Sequence, residues 1–494
     1  MIAVECNKDQ FGYDIHSLVK AFYPAEDVKV FAAGEKEYSS SAGLPEIFVC
    51  FEENGISFEI CEEHNSVFCE TVAVSENENR PDYKNVLKKL IYRSLSAYCK
   101  KELPWGNLTG IRPTKIPYGF LEENKTDDEI ISYMKDTYFC SEKKAKLAID
   151  IAKMERKILS KIHYEDGYSL YVGIPFCPTT CLYCSFTSYP ICAYKNKVRA
   201  YLDAVKKEID YVSSDFQDKL LDSVYIGGGT PTTLEADELD ELLSYLKEKL
   251  DFSNVLEFTV EAGRADSITK EKLEVLKKHG VGRISVNPQT MKEETLRMIG
   301  RRHTVDQVKE AFALAKEVGF ENINMDLILG LPDESKEDVE MTMREVEKLS
   351  PDSITVHSLA IKRASKLSQW IEENGISCMK NTEETVEIAA ESAKNMGMEP
   401  YYLYRQKNMS GNFENVGYAK PGKEGLYNIL IMEEVQSIVA LGAGTISKRV
   451  YSDGRIERCD NVKDVDQYID RIEEMIGRKK ELYNETKNRM GLFR

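Results

Sequence analysis

No stretch of this chain stays apolar long enough to span a bilayer, so no transmembrane helix is expected. The opening MIAVECNKDQ lacks the basic-then-apolar profile of an export signal. A cytoplasmic location follows as the expectation, with the twelve cysteines kept reduced. Positive charge is also short, 66 Lys and Arg against 83 Asp and Glu, a net −17. That balance argues against a broad phosphate-binding surface, hence against nucleic acid as a partner, and leaves only local basic pockets open. Acidic runs such as Glu52-Glu53 and 237–241 read as solvated faces. Low-complexity tracts are absent. At 494 residues, 42% hydrophobic and 30% charged, the chain has the make-up of two or three ordinary globular domains.

A further absence concerns the cysteines themselves. Cys177, Cys181 and Cys184 form C-x3-C-x2-C, and no fourth cysteine or histidine follows closely. Structural zinc takes four ligands, usually as two separated pairs, and the nearest further candidate is Cys192. A [4Fe–4S] cube takes one thiolate per iron, so three thiolates leave one iron open to another ligand. An open iron points to chemistry as well as electron storage. The other cysteines make no second cluster and read mostly as small buried side chains.

Residues 1–162 read as a separate α+β unit. A meander is expected at 47–51, 56–61 and 67–74, turning at Asn54-Gly55, with helices at 83–99 and 142–162. Between those helices lies LPWGNLTGIRPTK, either a loop with Trp105 docked on a core or a ligand-facing segment using Arg112 and Lys115. From 168 the texture changes to short apolar strands at 168–172, 223–226, 257–261, 283–287, 322–328 and 353–357. Helical patterns follow at 193–213, 236–251, 269–279, 304–318, 334–349 and 381–397. Six strand–helix repeats predict a parallel sheet with ligands at the carboxyl ends of its strands. Six are too few for a closed eightfold barrel, so an open or partial α/β barrel is expected within 163–370. Residues 371–494 read as a smaller C-terminal domain.

Several side chains fall where that topology places ligands. Gly227-Gly-Gly-Thr-Pro-Thr232 follows strand two, and its amides suit a carboxylate or another polar group, though a tight turn explains it equally. Glu261 ends strand three, Gln289 follows strand four, and Arg301 precedes the next helix. Asp326 interrupts an apolar strand and needs a partner there, structural or functional.

These residues resemble the radical S-adenosylmethionine (SAM) superfamily, whose cluster loop is C-x3-C-x2-C and whose core is a partial (β/α)6 barrel. IPFCPTTCLYCSF, GGGTPT, the strand-end glutamate and DLILGLP are similar to the oxygen-independent coproporphyrinogen III oxidase group. LTGIRPTK, LYRQKNMSGN and ALGAG extend the likeness to its HemZ branch over nearly the whole chain. The resemblance implies that Cys177, Cys181 and Cys184 bind a [4Fe–4S] cluster whose open iron takes the amine and carboxylate of SAM. It implies SAM contacts at Tyr171, Tyr183, Gly228, Gly229, Thr230, Glu261, Gln289, Arg301 and Asp326. The implied activity is oxidative decarboxylation of coproporphyrinogen III to protoporphyrinogen IX. Its implied partners are a tetrapyrrole substrate and a reduced flavodoxin or ferredoxin type electron donor. Tyr402, Tyr404, Arg405 and Lys407 are either a clamp for tetrapyrrole rings and propionates or a core strand with a solvated edge. Two residues depart from the oxidase pattern: Phe186 replaces a fourth cysteine, leaving open whether Cys192 substitutes for that thiol, and Gly173 replaces a histidine. The phenylalanine is shared with HemW-like haem chaperones, which keeps a haem-carrying role open beside another tetrapyrrole chemistry.

Overall fold

The computed structural model describes residues 1–24, 26–34, 39–74, 80–110, 112–362, 365–375, 379–406 and 413–484. They form two compact units. The first comprises Met1–Lys153 with Asn374–Glu383 and Leu403–Asn415; the second comprises the rest. The stretch read as a C-terminal domain, 371–494, is therefore shared between them.

In the first unit, β1 (Ile2–Cys6) lies between β2 (Val28–Ala32) and β3 (Glu46–Glu52), parallel to both. The expected meander continues antiparallel through β4 (Gly55–Glu62) and β5 (Asn65–Ala73). Alternating burial along β3 and β4 turns Ile47, Val49, Ile56, Phe58 and Ile60 onto the core under helix Arg80–Cys99. The parallel β1–β2 pair and the helix Gly12–Phe22 joining it went unforeseen. Such pairing is nonlocal, and the short first strand gives little periodicity to read.

The second unit holds the partial barrel. Its strands β6 (Gly167–Ile174), β7 (Leu220–Gly228), β8 (Glu257–Gly263), β9 (Arg283–Val286), β10 (Ile323–Leu329) and β11 (Ser353–Ser358) are neighbours in chain order, all parallel. Near-continuous burial along β6, BBBBiBBB, is the mark of a strand covered on both faces. The intervening helices follow local rules. Reciprocal capping boxes, Thr304 with Gln307 and Ser335 with Asp338, start helices Val305–Val318 and Lys336–Leu349, and Gly319 at φ +99° ends the former.

Later strands extend the sheet at both edges. Beside β11 runs antiparallel β13 (Asn415–Ala419), then β12 (Glu399–Tyr404). Beside β6 runs parallel β14 (Ser437–Leu441), followed by β15 (Ile446–Val450) and β16 (Ile456–Asp460). No described helix is long and apolar enough to cross a membrane.

Candidate active site at the strand ends

The cysteine loop leaves the end of β6 and is tied down on two sides. Phe176–Cys177 pairs with Tyr189–Pro190, closing the loop at its base. From the end of β7, the Gly229 amide donates to the Ile174 carbonyl at 2.8 Å, and that of Thr230 to the Phe176 carbonyl at 2.7 Å. Glycine is required at 229, because a Cβ there would lie 2.6 Å from the Phe176 oxygen and 3.0 Å from Cys177 Sγ. Gly228 has φ +107°, in the left-handed region. Across the loop, Thr179 Oγ1 donates to the Gly300 carbonyl at 2.8 Å. Buried Arg264 donates to Thr179 Oγ1 at 2.7 Å and approaches Cys181 Sγ at 3.9 Å, while Asp266 holds its far side.

Cys177 and Cys181 are buried and Cys184 half-buried. Burial, reinforced by the two neighbouring thiols, pushes Cys177 up to about 12, and burial raises Cys184 as well. Packed thiolates therefore need positive charge among them, which cluster irons supply. Among the described residues no three Cys, His, Asp or Glu side chains could share one metal ion. A cube that takes one thiolate per iron asks for a wider spread.

Beyond the loop the barrel mouth is polar and incompletely paired. Tyr171 stacks on Tyr225 and Tyr427 at 6.0 and 5.8 Å between ring centroids, and the latter two stack at 4.5 Å. Tyr225 donates to Glu261 Oε1 at 2.5 Å. Burial raises the Glu261 carboxyl to about 7; the Tyr225 bond opposes that rise and Asp326 adds to it. Gly227 permits the approach, since its Cβ would fall 2.9 Å from the Glu261 carboxyl carbon. Half-buried Asp326 accepts from Asn324 Nδ2 at 2.7 Å. Gln289 sits in a left-handed conformation, φ +70°, with a buried Oε1 that no protein group satisfies. Arg301 donates to the Asn287 carbonyl and to Tyr183 Oη at 3.1 Å, leaving Nε unpartnered. Ser285 Oγ is a further buried atom without a partner. Unsatisfied donors and acceptors of this kind, beside a tight glycine turn and three cysteines, fit a polar cofactor.

All twelve cofactor residues expected from the sequence lie in this second unit: most on the cysteine loop or near strand ends, Tyr171 and Asp326 inside β6 and β10, and Arg301 just past helix Glu293–Met298. Arg405 requires a correction. It belongs to the first unit's core, where it donates to the Leu108 carbonyl at 2.5 Å and lies 5.8 Å over the Trp105 ring. A guanidinium so committed is not a propionate clamp. Tyr402 is likewise buried, its ring against Gly417, and Lys407 lies outside the described residues. Trp105 is docked in a core, as one reading of its loop had it, donating to Glu414 Oε2 at 2.7 Å; Lys115 is exposed. Cys192 is exposed on the short helix Ile191–Tyr194. Sequence reading missed Arg264, Tyr225 and Tyr427. Arg264 and Tyr225 stand three residues after Glu261 and two before the glycines, so proximity to a motif was their only signal.

Comparison with known proteins shows the family. Residues 171–346 match the Radical SAM superfamily. Over 419 residues the chain is 39% identical to the oxygen-independent coproporphyrinogen-III oxidase-like protein HemZ of Bacillus subtilis, covering 84% of this chain and 83% of that protein. The chain belongs to the radical SAM superfamily, in its HemZ-like branch. Its cofactors are a [4Fe–4S] cluster and SAM. The haem chaperone HemW of Bacillus subtilis is 32% identical over 62% of this chain and 76% of its own length. Among solved structures, the radical SAM coproporphyrinogen III oxidase HemN of Escherichia coli superposes with a TM-score of 0.51, at 22% identity over 66% of this chain and 73% of that one. This last likeness speaks to the fold.

Proposed function

We propose that the chain catalyses oxidative decarboxylation of coproporphyrinogen III propionates to vinyl groups, giving protoporphyrinogen IX. The supporting observation is the glycine-laced cysteine loop facing unsatisfied polar atoms on neighbouring strand ends. Cys177, Cys181 and Cys184 would hold the cluster. Gly228, Gly229 and Thr230 would offer SAM their backbone edge, and Glu261 would accept from its ribose or amino group. Gln289 Oε1, Arg301 Nε and Asp326 supply further polar contacts, while Tyr171 and Tyr183 wall the site. Bound together, the cofactors would supply hydrogen-atom abstraction; two of the four propionates would each then lose carbon dioxide and pass one electron to an acceptor, leaving a vinyl group. A reduced flavodoxin or ferredoxin type protein is the proposed electron donor. Anaerobic turnover of reconstituted protein with coproporphyrinogen III, followed by mass, should give the divinyl product. Cys181→Ala should lose the cluster, SAM cleavage and product together. SAM cleavage without a vinyl product in the unmodified protein rejects the proposal.

A second reading, haem carriage, is favoured by Phe186, which stands where the oxidase pattern has a cysteine and is 70% exposed. Stoichiometric haem binding with delivery to a client protein, and no porphyrinogen turnover, would decide for it.

A further inference from the structure

Phe186 is unusual on physical grounds alone. It lies two residues past Cys184, and a large apolar ring left 70% exposed is stabilised little by the fold. Beyond the end of β11, Lys362 brings Nζ to 5.4 Å from the centroid of that ring. The lysine is half-buried. Elsewhere on the barrel, partly buried lysines meet carboxylates, Lys292 with Asp338 and Lys206 with Glu241. Lys362 has no carboxylate partner among the described residues; its Nζ faces the Phe186 ring. A cation withdrawn from water without a counter-charge is costly, and a carboxylate arriving with a ligand removes the cost. The adjacent exposed ring offers its face to a flat apolar group. Ammonium and ring together match a pyrrole ring bearing a carboxylate arm.

We infer that Lys362 binds a propionate of the substrate and Phe186 packs against the pyrrole that carries it. The inference rests on the tetrapyrrole reading above and assigns the residue at the fourth-cysteine position a part in substrate recognition. A test uses the full chain with its reconstituted cluster, anaerobically. Coproporphyrin III and its uncharged tetramethyl ester are titrated into unmodified protein, Lys362→Gln, Lys362→Arg and Phe186→Ala. Lys362→Gln should weaken coproporphyrin III binding about tenfold, as loss of one charge-assisted bond predicts. Its affinity for the ester should not change, and Lys362→Arg should restore binding of the acid. Phe186→Ala should weaken both ligands. Iron content and SAM affinity should stay at unmodified levels throughout. Equal affinity of Lys362→Gln and unmodified protein for the acid overturns the inference, as does a loss of SAM affinity in its place. Turnover in the same preparations separates the two claims. Vinyl product with lysine-independent binding removes the inference and leaves the function; lysine-dependent binding without vinyl product does the reverse. If no tetrapyrrole binds the unmodified protein, both fall.

Discussion

Glu261 titrates near neutrality because it is enclosed, and the groups facing it pull in opposite directions. Tyr225 donates to it and Arg283 attracts the ionised form, whereas Asp326 repels it. As a carboxylate it accepts hydrogen bonds; protonated, it loses part of that capacity. With a folded value of about 7, SAM affinity should rise from pH 6 to pH 8, by up to about tenfold per unit below 7. Equilibrium binding at three pH values checks this, and Glu261→Gln should flatten the profile. A flat profile in the unmodified protein removes Glu261 from the SAM site. Stability carries the opposite sign. A carboxyl raised from 4.5 to about 7 contributes stability below 4.5 that is lost as pH rises through 7. Glu261→Gln should therefore melt above the unmodified protein at pH 8 and level with it at pH 4. At this scale the sequence revealed residues that a strand end delivers directly, such as Glu261 and Gln289. It hid Tyr427, which comes from helix Leu426–Glu433, held by Glu257 accepting from the Leu426 and Tyr427 amides at 2.6 and 3.1 Å. That placement depends on a contact 170 residues apart, which no periodicity reports.

The six barrel strands were legible because each is a short buried run followed by a helical pattern. Of the edge strands, β12 was legible only as one reading of the Tyr402–Tyr404 run and β13 to β16 were not, since their place depends on pairing with distant partners. The cysteine loop is the element whose shape matters most for cofactor loading. Gly229→Ala would press a methyl on the Phe176 carbonyl and on Cys177 Sγ, backbone and ligand that cannot swing aside. Iron bound after reconstitution should fall well below the unmodified level, with helical circular dichroism unchanged. Gly477→Ala supplies the contrast. It lies in helix Ile472–Tyr483 with nothing within 4 Å of the new Cβ. It should keep its iron and gain about 0.5–1 kcal/mol. Equal iron in both variants would show that the loop tolerates the methyl.

At the scale of the whole chain, the boundary between units is where sequence reading was least informed. Composition marks a change near 160, but nothing in it shows that Leu403–Asn415 folds with the first 153 residues. A buried polar cluster accounts for that return. Glu414 accepts from Trp105 and from Lys144, whose ammonium is itself buried, and Arg405 spans the Leu108 carbonyl and the Trp105 ring. Ion pairs withdrawn from water add little over apolar packing, yet removing one partner strands the other charge. Glu414→Gln should accordingly cost the first unit about 3–5 kcal/mol in denaturant unfolding. Adding Lys144→Met should return part of that loss, because the stranded ammonium goes with it. If the two costs simply add, the pair is not coupled, and Leu403–Asn415 is held to the first unit by its apolar contacts instead.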